Sequence, residues 1–194
     1  MKEMARYGLI LGLICVIATG LLALVNNLTK ETIYAQTEKE LNESLRQILP
    51  AAESFDPVRA GDEILYYKAR RKDGSLEGMA FIAEGKGYSG PVRTLAAMRL
   101  DGTIIAIKVL SQSETPGLGA RISEVADDTT VAGFLQGKRP DAHKRPWFQE
   151  QFSNKHLREL DNVQAITGAT ISSRCVIDSV KTKAKEILAL SDHG

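Results

Sequence analysis

The sequence predicts an α+β fold: one N-terminal transmembrane helix followed by a soluble domain of antiparallel strands with flanking helices. Three observations predict it. An uncharged apolar run lies near the N-terminus, two Asp-Gly hairpin signatures follow it, and an amphipathic helix closes the chain.

The apolar run extends from Tyr7 to Val25, 19 residues without a charge. As a helix it covers roughly 28 Å, close to the hydrocarbon thickness of a bilayer. A cleaved signal peptide shares the layout of a basic start and an apolar stretch. This run is longer than a signal core, however, and no A-x-A site follows it, so an uncleaved anchor over residues 1–28 is expected. Lys2 and Arg6 precede the run and favour a cytoplasmic N-terminus, which places the soluble domain on the extracytoplasmic side of the cytoplasmic membrane. Cys15 sits inside the run as a small packing residue.

From Thr29 to Leu49, Ile33, Leu41, Leu45, Ile48 and Leu49 recur at helical spacing until Pro50 ends the pattern. Residues 29–50 are therefore expected to form a linking helix, and residues 51–194 the soluble domain. Ile64–Arg70 and Leu76–Ala83 flank Asp73-Gly74; Val92–Leu100 and Thr103–Leu110 flank Asp101-Gly102. Asp-Gly between apolar, β-branched runs marks a hairpin. Ser111–Pro146 is loop-rich, with short helical pieces expected around Ile122–Ala126 and Val131–Leu135. Val163–Ile166 is strand-like. Val176, Ile177, Val180, Ala184, Ile187 and Leu188 mark one face of a last helix from about Ser173 to Leu190, with Ser172 or Ser173 as its cap.

Composition narrows the chemistry. With 194 residues, 43% apolar and 25% charged, the chain is globular and large enough for one ordinary domain beside the anchor. Lys and Arg total 25 against 24 Asp and Glu, which argues against nucleic-acid binding. Cys15 and Cys175 have no CxxC spacing, and His143, His156 and His193 are scattered. A zinc ribbon, a cysteine-ligated cluster, a disulfide scaffold and a histidine metal cage are all disfavoured.

The segment that carries chemistry is Thr167-Gly168-Ala169-Thr170, just before the last helix. Free N–H groups and the macrodipole make a helix start a natural phosphate site. Gly168 and Ala169 leave steric space beside the Thr170 hydroxyl. The simpler reading is that these residues only cap the helix. A second loop, Ser113-Glu114-Thr115-Pro116-Gly117-Leu118-Gly119, follows a predicted strand. By itself it is a Pro-Gly turn, though its two glycines also allow close approach of a flat ring to the backbone, with Leu118 as an apolar contact. Gly85-Lys86-Gly87-Tyr88-Ser89-Gly90-Pro91 makes a third Gly-rich turn. Trp147-Phe148-x-x-Gln151-Phe152 is a short aromatic cluster, of a kind more often core than cofactor contact.

The order GKGYSGP, SETPGLG, WFxxQF and TGAT before a final helix resembles the FMN-binding subunits of membrane redox pumps. The match is to the G subunits of Rnf ion-translocating ferredoxin:NAD oxidoreductase complexes; the C subunits of sodium-translocating NADH:quinone reductases are similar, though typically longer. The resemblance covers nearly the whole chain, anchor included. It implies that residues 51–194 are an FMN-binding domain and that FMN is covalently attached through its phosphate to the Thr170 hydroxyl. Thr167, Gly168 and Ala169 would complete the binding turn, and Glu114, Thr115, Pro116, Gly117, Leu118 and Gly119 would border the isoalloxazine. It also implies a magnesium-dependent flavin transferase that uses FAD. The partners it implies are the other proteins of the complex, namely a second flavin subunit and iron–sulfur subunits. Family motifs often have an acidic residue three positions before the first Ser/Thr; this chain has Gln164 there.

On that reading the chain is an electron-carrying part of an oxidoreductase complex, not a complete enzyme by itself, and no residue of its own is catalytic. A different class is a non-redox, membrane-anchored interaction protein in which TGAT is only a cap. A Ser/Thr hydrolase needs a nucleophile, a base and an orienter; His143 and His156 are nominal bases, but no G-x-S-x-G elbow occurs.

Overall fold

The computed structural model describes residues 2–125 and 145–191, with side chains from Ala5 onward. The chain divides into two compact units, residues 1–42 and 43–194. The expected helical piece at Val131–Leu135, His143 and His193 lie outside the described residues.

The first unit is helical. Helix α1 spans Lys2–Ile48 and passes through residues 28 and 29 without interruption. Leu9, Leu13, Val16, Leu22, Val25 and Leu28 are all exposed, so the apolar surface runs round the helix rather than along one stripe. Such a helix has no stable place in water, and it is the one helix among the described residues long and apolar enough to cross a membrane. Two threonine hydroxyls are satisfied within the helix: Thr19 Oγ1 donates to the Cys15 carbonyl at 2.8 Å, and Thr29 Oγ1 to the Val25 carbonyl at 2.7 Å.

The second unit begins in the last turns of α1, where Leu45 and Ile48 become buried. Pro50 then ends the helix, because the residue before a proline is pushed away from helical geometry. A six-stranded antiparallel meander follows in the order β1 (Ser54–Ala60), β2 (Glu63–Arg70), β3 (Leu76–Lys86), β4 (Pro91–Met98), β5 (Thr103–Ser111) and β6 (Lys155–His156). The β2–β3 and β4–β5 hairpins share one construction. The Asp73 carboxylate accepts from the Ser75 N–H at 2.9 Å, and Asp101 from the Thr103 N–H at 2.8 Å. Each aspartate side chain thus stands in for a backbone acceptor in the turn. β1 is an edge strand containing Pro57, a position where the missing N–H costs no ladder bond.

Register divides the sheet into two faces. Met79, Phe81 and Ala83 of β3 pair with Met98, Ala96 and Thr94 of β4, and Ala96 pairs with Ile107 of β5. This face meets the last helix, α3 (Thr170–Ser191), through Val176, Ile177, Val180, Ala184 and Ile187. Residues 94–98 are buried without a break, so both faces of β4 are covered. On the other face Lys108, opposite Leu95, donates from Nζ to Gln47 Oε1 at 2.6 Å and ties the end of α1 to the sheet. α3 comes close to β3 at Gly85: a Cβ there would lie 2.7 Å from Cys175 Sγ and 3.0 Å from the Cys175 carbonyl.

Four expectations change. The last helix starts at Thr170 rather than Ser173, so Ser172 and Ser173 lie within its first turn and are not caps. Val163–Ile166 is not a strand, because side chains replace the strand partner. Gln151 donates to the Gln164 carbonyl at 3.2 Å and accepts from the Gln164 N–H at 2.9 Å, and Ser173 Oγ accepts from the Ile166 N–H at 3.0 Å. The first helical piece is a 3-10 turn over Gly119–Ile122, upstream of its expected place. β4 stops at Met98, two residues short of Leu100, where the hairpin turn begins.

Gly85→Ala should cost about 1–3 kcal/mol by lifting α3 from β3. A thermal melt of the full-length protein checks it, and a midpoint equal to the parent's would show that this contact yields freely.

Candidate functional site

Three loops at one end of the sheet meet the start of α3. Ala169 is the capping position: its carbonyl accepts from the Ser173 N–H at 2.9 Å, and its own N–H donates to the Ile166 carbonyl at 2.9 Å. The N–H groups of Thr170, Ile171 and Ser172 have no protein partner among the described residues, as expected for a first helical turn. Gly168 holds φ at +81°, which lets the chain turn sharply into the helix. Among the described residues neither the Thr167 nor the Thr170 side chain makes a hydrogen bond, and both residues are exposed. The capping interpretation of TGAT therefore lacks the bond that defines a cap.

The second loop is organised by its own turn. Leu118 N–H donates to the Thr115 carbonyl at 3.2 Å across Pro116 and Gly117, whose φ of +75° suits the third position of a type II turn. The turn leaves Leu118 about half exposed while Gly119 is buried. The third loop, Gly87–Gly90, joins β3 to β4 and is closed by the Gly87 N–H donating to the Gly90 carbonyl at 2.8 Å.

Glu114, on the second loop, connects the third loop to the start of α3. It is buried, with 6% of its surface exposed. Its Oε2 accepts from Ser172 Oγ at 2.7 Å, and its Oε1 from the Ser89 N–H at 3.2 Å. The carboxylate thus binds the β3–β4 turn on one side and the first turn of α3 on the other. Two glycines make room for it. A Cβ at Gly119 would lie 2.5 Å from Glu114 Oε2 and 2.7 Å from Ser172 Oγ; one at Gly87 would collide with Glu114 Oε1.

The three loops enclose a cleft of about 440 Å³. From the sequence-predicted set, Glu114, Thr115, Leu118, Gly119, Gly168 and Thr170 line it. Thr167, Ala169, Pro116 and Gly117 shape the turns instead, Ala169 with its side chain in the core. Tyr88, Ile171 and Ser172 also line the cleft; the sequence offered Ser172 only as a helix cap and did not single out the other two. The available signal for Tyr88 was its place inside the GKGYSGP turn; Ile171 and Ser172 follow from moving the helix start to Thr170.

The two phenylalanines of the aromatic cluster are core, while Trp147 is half exposed. Phe148 and Phe152 are buried with ring centroids 5.5 Å apart, near edge-to-face, around the short helix α2 (Trp147–Glu150). A polar neighbour braces the site from behind: Gln149 donates to the Ile122 carbonyl at 2.9 Å, next to the 3-10 turn that ends the second loop. Cys175, one turn along α3, is pushed above the usual thiol range by burial and by the nearby Glu114 and Asp178 charges, so it stays protonated at neutral pH. His156 serves as a cap. Its Nδ1 accepts from the Arg158 N–H and its Nε2 lies 3.0 Å from the Asp101 carbonyl, so both ring nitrogens are engaged in structure. No group of His, Cys, Asp and Glu among the described residues is arranged to hold a metal ion.

A cleft of this size is in the range that takes a small molecule, and free N–H groups at its edge suit an anionic one. The features present fit a phosphate-bearing ligand with an apolar body. They are the exposed Thr170 hydroxyl, the unpaired first-turn amides and the apolar Leu118, Ile171 and Tyr88 side chains.

Residues 87–185 match the FMN-binding domain family, and residues 1–48 match the RnfG N-terminal region. The G subunit of the ion-translocating oxidoreductase complex from Cereibacter sphaeroides is 35% identical over 182 residues, covering 89% of this chain and 79% of that protein. The protein of the same name from Escherichia coli K12 is 30% identical over 194 residues, covering 93% and 89%. That of Methanosarcina acetivorans is 28% identical over 202 residues, covering 97% and 96%. The crystal structure of Shewanella oneidensis NqrC aligns at a TM-score of 0.44 and 17% identity, covering 73% of each chain.

Glu114→Ala should cost roughly 2–4 kcal/mol, since it strands the Ser172 hydroxyl and the Ser89 amide. Glu114→Gln, which keeps an acceptor for Ser89, should cost about 1 kcal/mol. At about 2–4 °C per kcal/mol for a chain of this size, differential scanning calorimetry separates the two variants. Equal melting points would remove the carboxylate from its linking role.

Proposed function

The chain belongs to the family of G subunits of ion-translocating oxidoreductase complexes and carries that family's FMN-binding domain, and from this membership we propose that it is a membrane-anchored electron carrier whose FMN is attached covalently to Thr170. One observation carries the attachment reading. The Thr170 hydroxyl is exposed at the first residue of α3, makes no hydrogen bond among the described residues, and lies in a cleft edged by three unpaired amides.

Attachment is a phosphoryl transfer. Thr170 Oγ forms a bond to the phosphorus on the FMN side of FAD and loses its proton. The pyrophosphate bond breaks, and AMP leaves. A dedicated, magnesium-dependent flavin transferase acts as catalyst, and the balance needs no oxidant. The phosphodiester that results keeps a negative charge, which the first-turn amides and the dipole of α3 stabilise.

When bound, FMN accepts electrons in pairs and releases them singly, which suits a relay between carriers. Thr170 contributes a tether that removes cofactor dissociation from the relay. Gly168 and Gly119 keep the approach to the hydroxyl clear, Thr115 offers a hydroxyl to the cleft, and Leu118 excludes water beside it. Glu114 fixes the distance between the loops. Pro116 and Gly117 set the turn that presents Leu118; Thr167 and Ala169 set the turn that presents Thr170.

The apolar stretch of α1 anchors the chain in the membrane as a single span over residues 1–28, followed by the linking segment 29–50 and the FMN domain 51–194. Lys2 and Arg6 favour an N-terminus in the cytoplasm, with the FMN domain on the other side. The chain works with other members of its complex, and the carriers on either side are a second flavin subunit and iron–sulfur subunits.

Thr170→Ala should abolish the ultraviolet fluorescence of the protein band on a denaturing gel after expression with a flavin transferase. Thr170→Ser should keep a part of it, because the hydroxyl remains. A fluorescent Thr170→Ala band would sink the assignment. In a redox titration Leu118→Ala should move the flavin potential while leaving the flavin content unchanged; an unmoved potential would take Leu118 off the ring.

A further inference from the structure

Among the described residues, seven large apolar side chains are exposed in the second unit, and three of them, Tyr88, Leu118 and Ile171, line the same cleft. Tyr88 stands apart from the other two. Its residue is 73% exposed, and among the described residues it has no ring contact, hydrogen bond or ion pair. A loose tyrosine on a mobile loop would mean little. This one is carried by a turn that is pinned at three points: Gly87 N–H to the Gly90 carbonyl, Ser89 N–H to Glu114 Oε1, and Gly87 packed directly against the Glu114 carboxylate.

We infer that Tyr88 is the stacking residue of the site, its phenol ring covering one face of the isoalloxazine while Leu118 and Ile171 pack against other parts of it. The inference rests on the FMN reading of this cleft. A flat heteroaromatic ring and a phenol share a π-face, and offset stacking adds stabilisation beyond the area buried. Fixing the backbone of the Tyr88 turn before the ligand arrives leaves only the side-chain rotamer to be ordered when the ring docks. The Glu114 carboxylate thereby acquires a second consequence. The hydrogen bonds that tie the loops together also hold Tyr88 and Thr170 on the same cleft, one to cover the ring and the other to hold its phosphate.

An adjacent phenol donates an electron to a photoexcited flavin and takes it back, which shortens the flavin's fluorescence lifetime; leucine and phenylalanine side chains do not. The test uses the full-length chain matured with a flavin transferase and purified in detergent, as parent, Tyr88→Leu and Tyr88→Phe. Flavin content is read on the denatured protein, and the lifetime on the native protein. Flavin content should be the same in all three, and the lifetime severalfold longer in both variants. The visible bands should shift in Tyr88→Leu and stay in place in Tyr88→Phe, which keeps an aromatic face. An unchanged lifetime in either variant, with flavin attached, overturns the stacking role and leaves the attachment reading standing. A parent protein without covalent flavin overturns the attachment reading, and the stacking role falls with it.

Discussion

The buried Glu114 carboxylate is the constraint on which the site depends. A carboxylate with 6% of its surface exposed is costly unless its oxygens are met, and here each is met by a different element: Ser172 Oγ of the first turn of α3 on one side, the Ser89 amide of the β3–β4 turn on the other. That arrangement dictates glycine at two neighbouring positions, because a Cβ at Gly87 or Gly119 would occupy the space of the carboxylate itself. Sequence segments separated by tens of residues are thereby brought to one cleft. The glycines that look in sequence like generic turn residues are here requirements of close packing around one charge.

The sheet and α3 supply the rest of the placement. The Gly85–Cys175 contact lets α3 lie close on β3, and the apolar face from Val176 to Ile187 holds it there. Ser173 pins the Ile166 amide and Gln151 pins both backbone groups of Gln164. The approach to Thr167–Thr170 therefore has its backbone fixed by side chains on either side, which leaves the Thr167 and Thr170 hydroxyls and the first-turn amides as free groups among the described residues.

Much of this was legible in the chain. The uncharged run, the two Asp-Gly hairpins and the terminal amphipathic helix each have a short-range cause, and each element is present, although the last helix starts three residues early at Thr170 and β4 ends two residues short at Met98. The misses have long-range causes. Pro57 disguises β1 as non-strand, and only its edge position makes the proline harmless. Val163–Ile166 has a strand's composition but finds its hydrogen bonds in Gln151 and Ser173 instead of a neighbouring strand. Ser172 has the composition of a cap, but its hydroxyl is committed to Glu114, 58 residues away in sequence. Tyr88 was hidden for the same reason: its turn is visible in sequence, but the cleft it borders is assembled from segments that only the fold brings together.

Whether Thr170 carries the flavin is tested most directly by mass spectrometry of the full-length chain, matured with a flavin transferase and digested with trypsin. Cleavage after Arg158 and Arg174 releases residues 159–174, which contain both Thr167 and Thr170. A phosphoester at Thr170 predicts that this peptide gains the mass of one FMN less one water, and that fragmentation places the gain on Thr170. An unmodified peptide, or a gain that fragments to Thr167, would contradict it.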